Sequence, residues 1–199
     1  MHDMNDPGEI TGHAAVPEAI LIAAIAKGDQ TAVKRLYAAT NVRLYRYLVR
    51  QLRNEAVAEE VMNETYLAVW QNAARYEARS APMTWMLSIA HNKAVSTLRK
   101  RRETSGIDEE EAGQIADQDD TPDVITQKLE KAQAIRACVN KLGPDHRLVM
   151  DLVYYQERSV AEVAEILAIP EATVKTRMFY ARKKLSELLV AAGVDRGWP

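Results

Sequence analysis

The chain has 199 residues, a formal net charge of −2 and 47% hydrophobic residues, so it is long and apolar enough to bury one or two cores. Its single cysteine, Cys138, excludes an intrachain disulfide and a multi-cysteine zinc site, and fits a reducing cytoplasm. Only 8 residues are Gly and 1 is Phe, and runs of β-branched residues are few, which favours an all-α fold.

The N-terminal residues 1–16 are acidic and polar, and we expect them to form a mobile tail. They lack the basic start and the apolar stretch of a signal peptide. No apolar run approaches the roughly 18 residues that a membrane-spanning helix needs. The sequence therefore predicts a protein that does not itself insert into a membrane.

Residues 17–103 are predicted to form a first, helical domain. Apolar residues recur there at helical spacing, with breaks at KGDQ (residues 27–30) and ARSAPM (residues 78–83). The positions that carry the pattern are Ile20, Leu21, Ala24, Val33, Leu36, Tyr37, Leu44, Leu48, Leu52, Val57, Val61, Val69, Trp85, Ile89 and Leu98. Because several short helices share this spacing, a small helical bundle is expected.

Two groups of polar residues stand out in this domain. Glu60, Asn63, Glu64 and Gln71 lie largely off the apolar face of their helix, and on pattern alone a solvated surface accounts for them. The basic cluster RKRR, residues 99–102, ends the last helix of the domain. It fits a solvated helix end as well as it fits contact with nucleic acid.

Residues 104–126 are predicted to form an acidic, flexible linker. The stretch contains no Lys or Arg, many carboxylates, and Gly, Ser and Pro without an amphipathic period. Like charges repel and little apolar area is available for burial, so extended chain is expected. The overall net charge is negative because the tails and this linker carry the excess of acidic residues.

Residues 127–192 are predicted to form a second helical domain, followed by a C-terminal tail at 193–199. Gly143 and Pro144 end its first helix, and a further helix is expected from Arg147 to Tyr155. The apolar positions of the first helix are Leu129, Ala132, Ile135, Cys138, Val139 and Leu142. Since Cys138 belongs to this apolar face, we expect a buried thiol.

The last two helices of this domain are predicted to form a helix-turn-helix. Ser159 and Glu162 have the spacing of a capping box, and Pro170 suits the first turn of the second helix. The buried faces are predicted at Val160, Val163, Ala164, Leu167, Val174, Met178, Ala181 and Leu185. Such a pair can present its second helix to the major groove of DNA, but a solvated basic face on a core helix shows the same pattern.

Two blocks of the chain resemble conserved regions of bacterial sigma factors. The stretch LGPDHRLVMDLVYYQERSVAEVAEILAIPEATVKTRMFYARKKLSELL, residues 142–189, resembles their fourth region. The stretch EEVMNETYLAVWQNAARYEARSAPMTWMLSIAHNKAVSTLRKRR, residues 59–102, is similar to their second region. Nothing resembling the first or third region separates them, which is the plan of the small extracytoplasmic-function class.

This resemblance implies roles for individual residues. The implied polymerase-binding residues are Glu60, Asn63, Glu64 and Gln71. The implied −10 DNA residues are Arg79, Ser80, Asn92, Arg99, Arg101 and Arg102. The implied −35 DNA residues are Lys175, Thr176, Arg177, Phe179, Tyr180, Arg182 and Lys183, of which Arg177 and Arg182 either touch phosphate or brace the helix. Trp70 and Trp85 match apolar family positions, and core packing is expected for both.

The chain departs from the family pattern at several positions. Glu60 and Asn63 stand where the family usually has Asp and Gln, and His91 replaces a common Arg. Pro82 replaces a common aromatic residue, and Ala168 replaces the Gly usual in the turn of the helix-turn-helix. We expect a left-handed backbone at that turn to cost on the order of 1 kcal/mol with Ala.

The resemblance implies an initiation factor that binds core RNA polymerase, recognises promoter −10 and −35 elements and helps to open the −10 duplex. It also implies a cytoplasmic location and an anti-sigma partner. That partner can hold the protein at the inner membrane. No catalytic residue, metal site or cofactor is expected, because the sequence has no nucleophile–base pair, Gly-rich phosphate loop or metal-ligand spacing.

Two other functions fit parts of the sequence. A helix-turn-helix regulator that does not bind polymerase would use only the second domain, and it leaves the polar helix around residue 63 unexplained. A sigma-like decoy that sequesters a partner would be expected to have lost its −35 face, whereas Lys175, Thr176 and Arg177 are present. The initiation factor therefore accounts for more of the chain than either alternative.

Overall fold

The structure, a computed structural model, describes residues 17–105 and 125–194, with side chains at 17–103 and 132–194. Those ranges contain eight α-helices and no strand, so the predicted all-α fold is confirmed. The helices are α1 Glu18–Ala26, α2 Gln30–Leu52, α3 Glu55–Asn72, α4 Pro82–Ser105, α5 Ile125–Asn140, α6 Pro144–Met150, α7 Val160–Leu167 and α8 Glu171–Ala191. A short 3₁₀ turn, Ala73–Arg75, follows α3, and a π-helical turn, Asp151–Tyr155, follows α6.

The expected N-terminal tail at 1–16 lies outside the described residues, as do most of the expected linker and most of the C-terminal tail. The helices on either side of the linker end and begin at Ser105 and Ile125. The helix predicted from Arg147 to Tyr155 is observed as α6, which begins three residues earlier at Pro144, together with the π-helical turn that follows it.

Helices α1 to α4 pack together around the core of the first domain. Local sequence signals determine where two of these helices begin. The Asp29 side chain accepts hydrogen bonds from the backbone N–H groups of Thr31 and Ala32 at 2.8 and 3.2 Å, which caps α2. Asn54 caps α3 in the same way, by accepting from the backbone of Val57 at 3.0 Å. The largest fully buried side chains here include Ile22, Leu36, Leu44, Tyr47, Leu48, Val61, Val69, Met86 and Leu87.

Helices α7 and α8 form the predicted helix-turn-helix. The predicted capping box is present: Glu162 N–H donates to Ser159 Oγ at 3.2 Å, and Ser159 N–H donates to Glu162 Oε2 at 2.9 Å. The turn passes through Ala168 in the left-handed conformation, with φ 51° and ψ 43°. Pro170 precedes α8 in an extended conformation, at the N-cap and not inside the first turn.

The two domains pack against each other, and α7 of the second domain lies on α4 of the first. Buried residues of both domains belong to one apolar cluster, which includes Met86 and Leu87 from α4 and Val163 and Ile166 from α7. A smaller cluster of Leu142, Met150 and Ala181 lies within the second domain. The sequence did not indicate a continuous core, because its two domains each have the amphipathic pattern of an independent unit.

Candidate polymerase and DNA interfaces

The polar face of α3 is exposed, as the sequence predicts. Glu60, Asn63, Glu64 and Gln71 are all exposed. The Glu64 carboxylate accepts from Nζ of Lys93 on α4 at 3.2 Å. These side chains leave the core packing of α3 to Val61, Val69 and their neighbours, so the polar face is available to a partner.

Two large apolar side chains share this face. Leu67 is 49% exposed and Trp70 is 53% exposed, so the expectation that Trp70 packs in the core is wrong. Asn63, Leu67 and Trp70 are four and three residues apart, a spacing that aligns side chains along one side of a helix. Val69 takes the buried position of this turn, at 1% exposure, which leaves its neighbour Trp70 outside the core.

Trp85 packs as predicted, but through one particular partner. Its ring lies 4.9 Å from that of Tyr76, and the side chain is half-buried against the main core. The Tyr76 hydroxyl donates to the backbone carbonyl of Ser80 at 2.6 Å. Tyr76 and Trp85 therefore hold the loop between α3 and α4, residues 76–81, against the first domain.

This loop carries two of the predicted −10 residues. The Arg79 side chain is 85% exposed and pairs with Glu77 at 2.5 Å. Ser80 is half-buried, and its carbonyl is occupied by the Tyr76 hydroxyl. Ala78 has φ 55°, in the left-handed region, which turns the chain sharply before Arg79. Of these two residues, Arg79 is the one whose side chain can reach outward to DNA.

The other predicted −10 residues lie along α4. Asn92, Arg99 and Arg102 are exposed and are seven and three residues apart, so they follow one side of the helix. Arg101 is half-buried. Arg99 lies 4.0 Å from the Glu103 carboxylate, at the limit of an ion pair between two exposed groups. The exposed side of α4 thus presents the positive charges of Arg99 and Arg102, which can interact with phosphate groups.

The predicted −35 residues divide into two groups on α8. Lys175, Phe179 and Tyr180 are exposed at 66%, 64% and 53%, and the two rings meet edge to face at 5.4 Å. Thr176 is exposed, but its hydroxyl donates to the Ala172 carbonyl at 2.9 Å. Lys183 is exposed one turn beyond Phe179 and Tyr180.

Arg177 and Arg182 form the second group, because each has a partner inside the domain. Arg177 is 27% exposed and pairs with Asp145 of α6 at 2.5 Å. Arg182 Nε donates to the Tyr154 hydroxyl at 2.9 Å, and its guanidinium lies 5.8 Å from the Tyr154 ring. Of the two roles that the sequence allowed for these arginines, the geometry favours bracing of α8.

His91 lies in a polar pocket at the side of α4. The Gln51 amide is 3.1 Å from Nδ1 of the ring, and the Tyr47 hydroxyl is 3.3 Å from it. Burial lowers the pKa of His91. No group of three or more His, Cys, Asp or Glu side chains that could hold a metal ion occurs within residues 17–105 and 125–194.

Cys138 is buried, at 2% exposure, as expected from its place on the apolar face of α5. Its thiol donates a weak hydrogen bond to the Leu188 carbonyl at 3.5 Å. The contact joins α5 to α8 and leaves the sulfur out of reach of solvent.

A cleft of about 960 Å³ lies between the two domains. Eight arginines and only three carboxylate residues line it, which gives it a positive character. Among them, burial and the neighbouring charge of Arg53 lower the pKa of Arg147. Arg102, a predicted −10 residue, and Arg177, a predicted −35 residue, line the same cleft. Sequence reasoning did not anticipate this proximity.

Comparison with known proteins identifies both domains. Residues 36–104 match the family model for Sigma-70 region 2, and residues 132–185 match that for Sigma-70, region 4. The chain is 32% identical to the ECF RNA polymerase sigma factor SigK of Mycobacterium ulcerans over 176 residues, which cover 86% of this chain and 93% of that protein. It is 31% identical to SigK of Mycobacterium tuberculosis strain H37Rv, covering 85% and 91%.

Two solved structures share the fold. CnrH, in complex with the cytosolic domain of CnrY, aligns with a TM-score of 0.63 and 26% identity over 89% of this chain and 99% of that one. The sigma factor RpoE of Bartonella quintana, in complex with the anti-sigma factor NepR, aligns with a TM-score of 0.66 and 24% identity. That second alignment covers 82% of this chain and 98% of RpoE.

Proposed function

The chain belongs to the extracytoplasmic-function class of RNA polymerase sigma factors, and on that premise we propose that three of its surfaces recruit core polymerase to promoters. The exposed face of α3 binds the polymerase. The loop 76–81 and α4 bind the −10 element, and α8 binds the −35 element. Chemistry on nucleotides belongs to the polymerase, and this chain contributes binding energy alone.

Polymerase binding is assigned to the exposed face of α3. That face combines the charged and amide groups of Glu60, Asn63 and Glu64 with the exposed side chains of Leu67 and Trp70. A large aromatic residue surrounded by polar groups is typical of the residues that dominate the affinity of protein interfaces. This is the single observation that most favours a sigma factor over a plain DNA-binding regulator, which has no use for such a face.

Opening of the −10 duplex is assigned to the first domain. Unstacking a base costs a few kcal/mol. Two favourable effects offset this cost: contacts between the protein and the extruded base, and neutralisation of the charge on the DNA backbone. Arg79 on the loop and Arg99 and Arg102 on α4 supply exposed positive charge for the second of these terms. Binding of the opened −10 DNA to the first domain is therefore expected to weaken steeply as salt concentration rises.

Recognition of the −35 element is assigned to α8. Lys175 can donate to guanine or phosphate, and the exposed ring of Phe179 can contact a thymine methyl group in the major groove. Lys183 is placed for a phosphate, which supplies affinity without sequence preference. The bracing contacts of Arg177 and Arg182 hold the helix in position for these exposed residues.

Regulation by an anti-sigma factor is part of the proposal. CnrH, which is similar to this chain over nearly all its length, was solved in complex with the cytosolic domain of CnrY. A partner of the same kind would keep this protein inactive in the cytoplasm, at the inner membrane when the partner is anchored there. Within residues 17–105 and 125–194, none of the helices has the combination of length and hydrophobicity that a membrane-spanning segment requires.

Run-off transcription tests the proposal. Purified core RNA polymerase is mixed with the full chain and a pool of genomic promoter fragments, and the start sites are mapped. We expect specific starts that are absent with core polymerase alone. Failure of the chain to bind core enzyme, together with no specific start site, would show that it is not an initiation factor.

A further inference from the structure

Two arginines converge on one backbone carbonyl in the cleft of about 960 Å³. Nη2 of Arg53, at the C-terminal end of α2, donates to the Asn140 carbonyl at 3.3 Å. Nη1 of Arg147 on α6 donates to the same oxygen at 3.1 Å and to the Leu142 carbonyl at 3.3 Å. Because the two guanidinium groups share one acceptor, they lie side by side, and their like charges repel.

This pair of cations has no carboxylate partner in the part of the chain whose side chains the structure describes. Two other arginines of the cleft, Arg50 and Arg177, are each paired with an aspartate that also lines it. Arg53, Arg147 and Arg136 form no ion pair among the described side chains. Burial and the charge of Arg53 lower the pKa of Arg147, which is the response of a desolvated cation that lies beside another cation.

The cleft has the size and the charge of a site for a small polyanion. Its volume lies at the upper end of the range of about 300–1,000 Å³ that is typical of small-molecule sites. Eight arginines line it against three carboxylates, a formal excess of five positive charges. The planar guanidinium of arginine binds phosphate through two parallel hydrogen bonds. Several linked phosphate groups would therefore supply the negative charge that the lining lacks.

The position of these arginines favours a small ligand over DNA. Arg53, Arg136 and Arg147 are half-buried, whereas Arg99 and Arg102, which are assigned to −10 DNA, are exposed at the side of α4. A cation recessed in a cleft is poorly placed to contact the backbone of a duplex that lies across the opening. It is well placed to surround a ligand that enters.

We propose that Arg53, Arg136 and Arg147, called here the cleft arginines, bind a small anion with three or more linked phosphate groups. The ligand is either inorganic polyphosphate or the phosphate chain of a nucleoside polyphosphate. Its charge offsets the repulsion between Arg53 and Arg147. The inference does not depend on the proposed function, because the cleft arginines lie outside the surfaces assigned to polymerase and to DNA.

Titration calorimetry of the full chain with sodium tripolyphosphate, at constant ionic strength, tests the site. We expect saturable binding of one ligand per chain, and binding of orthophosphate and sulfate that is at least about tenfold weaker, because these ions contact fewer of the arginines at once. Equal affinities for sulfate and tripolyphosphate would overturn the proposal, since they would show general screening of positive charge.

A parallel titration with ATP distinguishes the two sources of the phosphate chain. The apolar side chains of Val95, Leu98 and Leu148 also line the cleft and offer a surface to a nucleoside base. Tighter binding of ATP than of tripolyphosphate would support the site and identify a nucleoside polyphosphate as its ligand. Equal or weaker binding of ATP would support the site with the inorganic chain alone. No binding of either compound would overturn the proposal.

Substitutions of single arginines locate the binding. Arg53→Gln and Arg136→Gln are each expected to weaken tripolyphosphate binding about tenfold, because a charged hydrogen-bond donor is lost. Arg35→Gln, on the exposed side of α2 and outside the cleft, makes the same change in net charge and is expected to bind like the parent. Equal losses in all three variants would overturn the proposal, as would unchanged binding in Arg53→Gln and Arg136→Gln.

Two further measurements separate the site from stability and from DNA binding. Arg147→Gln also removes the bonds to the Asn140 and Leu142 carbonyls, so its urea unfolding is measured, and Arg136→Gln decides if that variant does not fold. A short single-stranded oligonucleotide is titrated into the same proteins. If it displaces tripolyphosphate and depends equally on Arg53 and Arg136, the cleft is a nucleic-acid site and the proposal fails. Run-off transcription tests the proposed function separately.

Discussion

Arg177 on α8 pairs with Asp145 at the start of α6, with 2.5 Å between Nη2 and Oδ2. Lys175, two residues earlier on the same helix, is 66% exposed and lies 3.7 Å from Glu171 of its own helix. The two cations therefore have different environments, although the resemblance implies a −35 role for both. Arg177 positions the helix, and Lys175 is available to DNA.

Lys175→Ala is expected to weaken binding to the preferred −35 sequence by about 1–3 kcal/mol and to relax the preference at one or two positions, because a base contact is lost. Lys183→Ala is expected to weaken binding to all sequences alike and to flatten the salt dependence by about one unit of slope. Both are measured with holoenzyme on a panel of −35 variants. If the Lys175 variant loses affinity equally for all sequences of the panel, this residue contacts the DNA backbone and not a base.

Removal of polarity from the α3 face is expected to weaken the binding of core polymerase. The combined change Glu60→Gln, Asn63→Ala and Glu64→Gln alters exposed groups only, so helicity by circular dichroism is expected to match the parent. The affinity for purified core enzyme is measured by titration. Unchanged affinity with unchanged helicity would make these residues an ordinary solvated surface.

The two tryptophans of the first domain are expected to respond oppositely. Trp70→Ala removes an exposed side chain, and we expect a loss of about 2 kcal/mol or more in polymerase binding with little change in the free energy of unfolding. Trp85→Ala removes the partner of Tyr76 and is expected to destabilise the fold by at least about 2 kcal/mol. Denaturant unfolding and polymerase titration are carried out on both. A large loss of stability in Trp70→Ala would contradict its assignment to the interface.

Ala168→Gly is expected to stabilise the second domain. Ala168 has φ 51°, in the left-handed region that costs a residue with a Cβ roughly 1–2 kcal/mol relative to Gly. Gly also raises the entropy of the unfolded chain, which offsets part of this gain. We therefore expect the free energy of unfolding to increase by about 1 kcal/mol, as measured by urea unfolding. Ala164→Gly, in the middle of α7, is the control and is expected to destabilise.

Stability is expected to fall as the pH drops below about 6.5 because of His91. Burial lowers the pKa of this residue, so below that pH the unfolded chain, with a His pKa of about 6.5, binds the proton more readily than the folded one. The contribution is fully present above about pH 6.5 and is lost as the pH falls from there through the lowered pKa of the folded chain. His91→Gln is expected to flatten the dependence, measured by urea unfolding at several pH values. Equal slopes in variant and parent would exclude His91 as the cause.

Much of the second domain could be predicted because its signals are local. Ser159 and Glu162 are three residues apart, and their capping box forms through contacts of that short range. The exposed and buried faces of α8 follow from the 3.6-residue period, which correctly separated Lys175 and Phe179 from Val174 and Met178. Helical periodicity in the same way located the polar face of α3 around Asn63.

The helical period could not predict that Trp70 is exposed while Trp85 is packed, because both are apolar residues within amphipathic helices. The exposure of each depends on which neighbours fill the core beside it. Val69 already occupies the buried position next to Trp70, whereas Trp85 packs against Tyr76 from a preceding loop. The spacing of Asn63, Leu67 and Trp70 along one side of α3 was a signal that could have indicated an exposed apolar stripe.

Amino-acid sequence alone determined the helices, their caps, the helix-turn-helix and the two basic surfaces, because each depends on residues a few positions apart. Tertiary structure decided which cations are braced and how the domains meet. Thr84 and Glu162 are 78 residues apart in sequence, and their hydrogen bond forms only because α4 and α7 pack against each other. Packing between distant segments leaves no periodic pattern in either one, so only the folded chain reveals how the two domains meet.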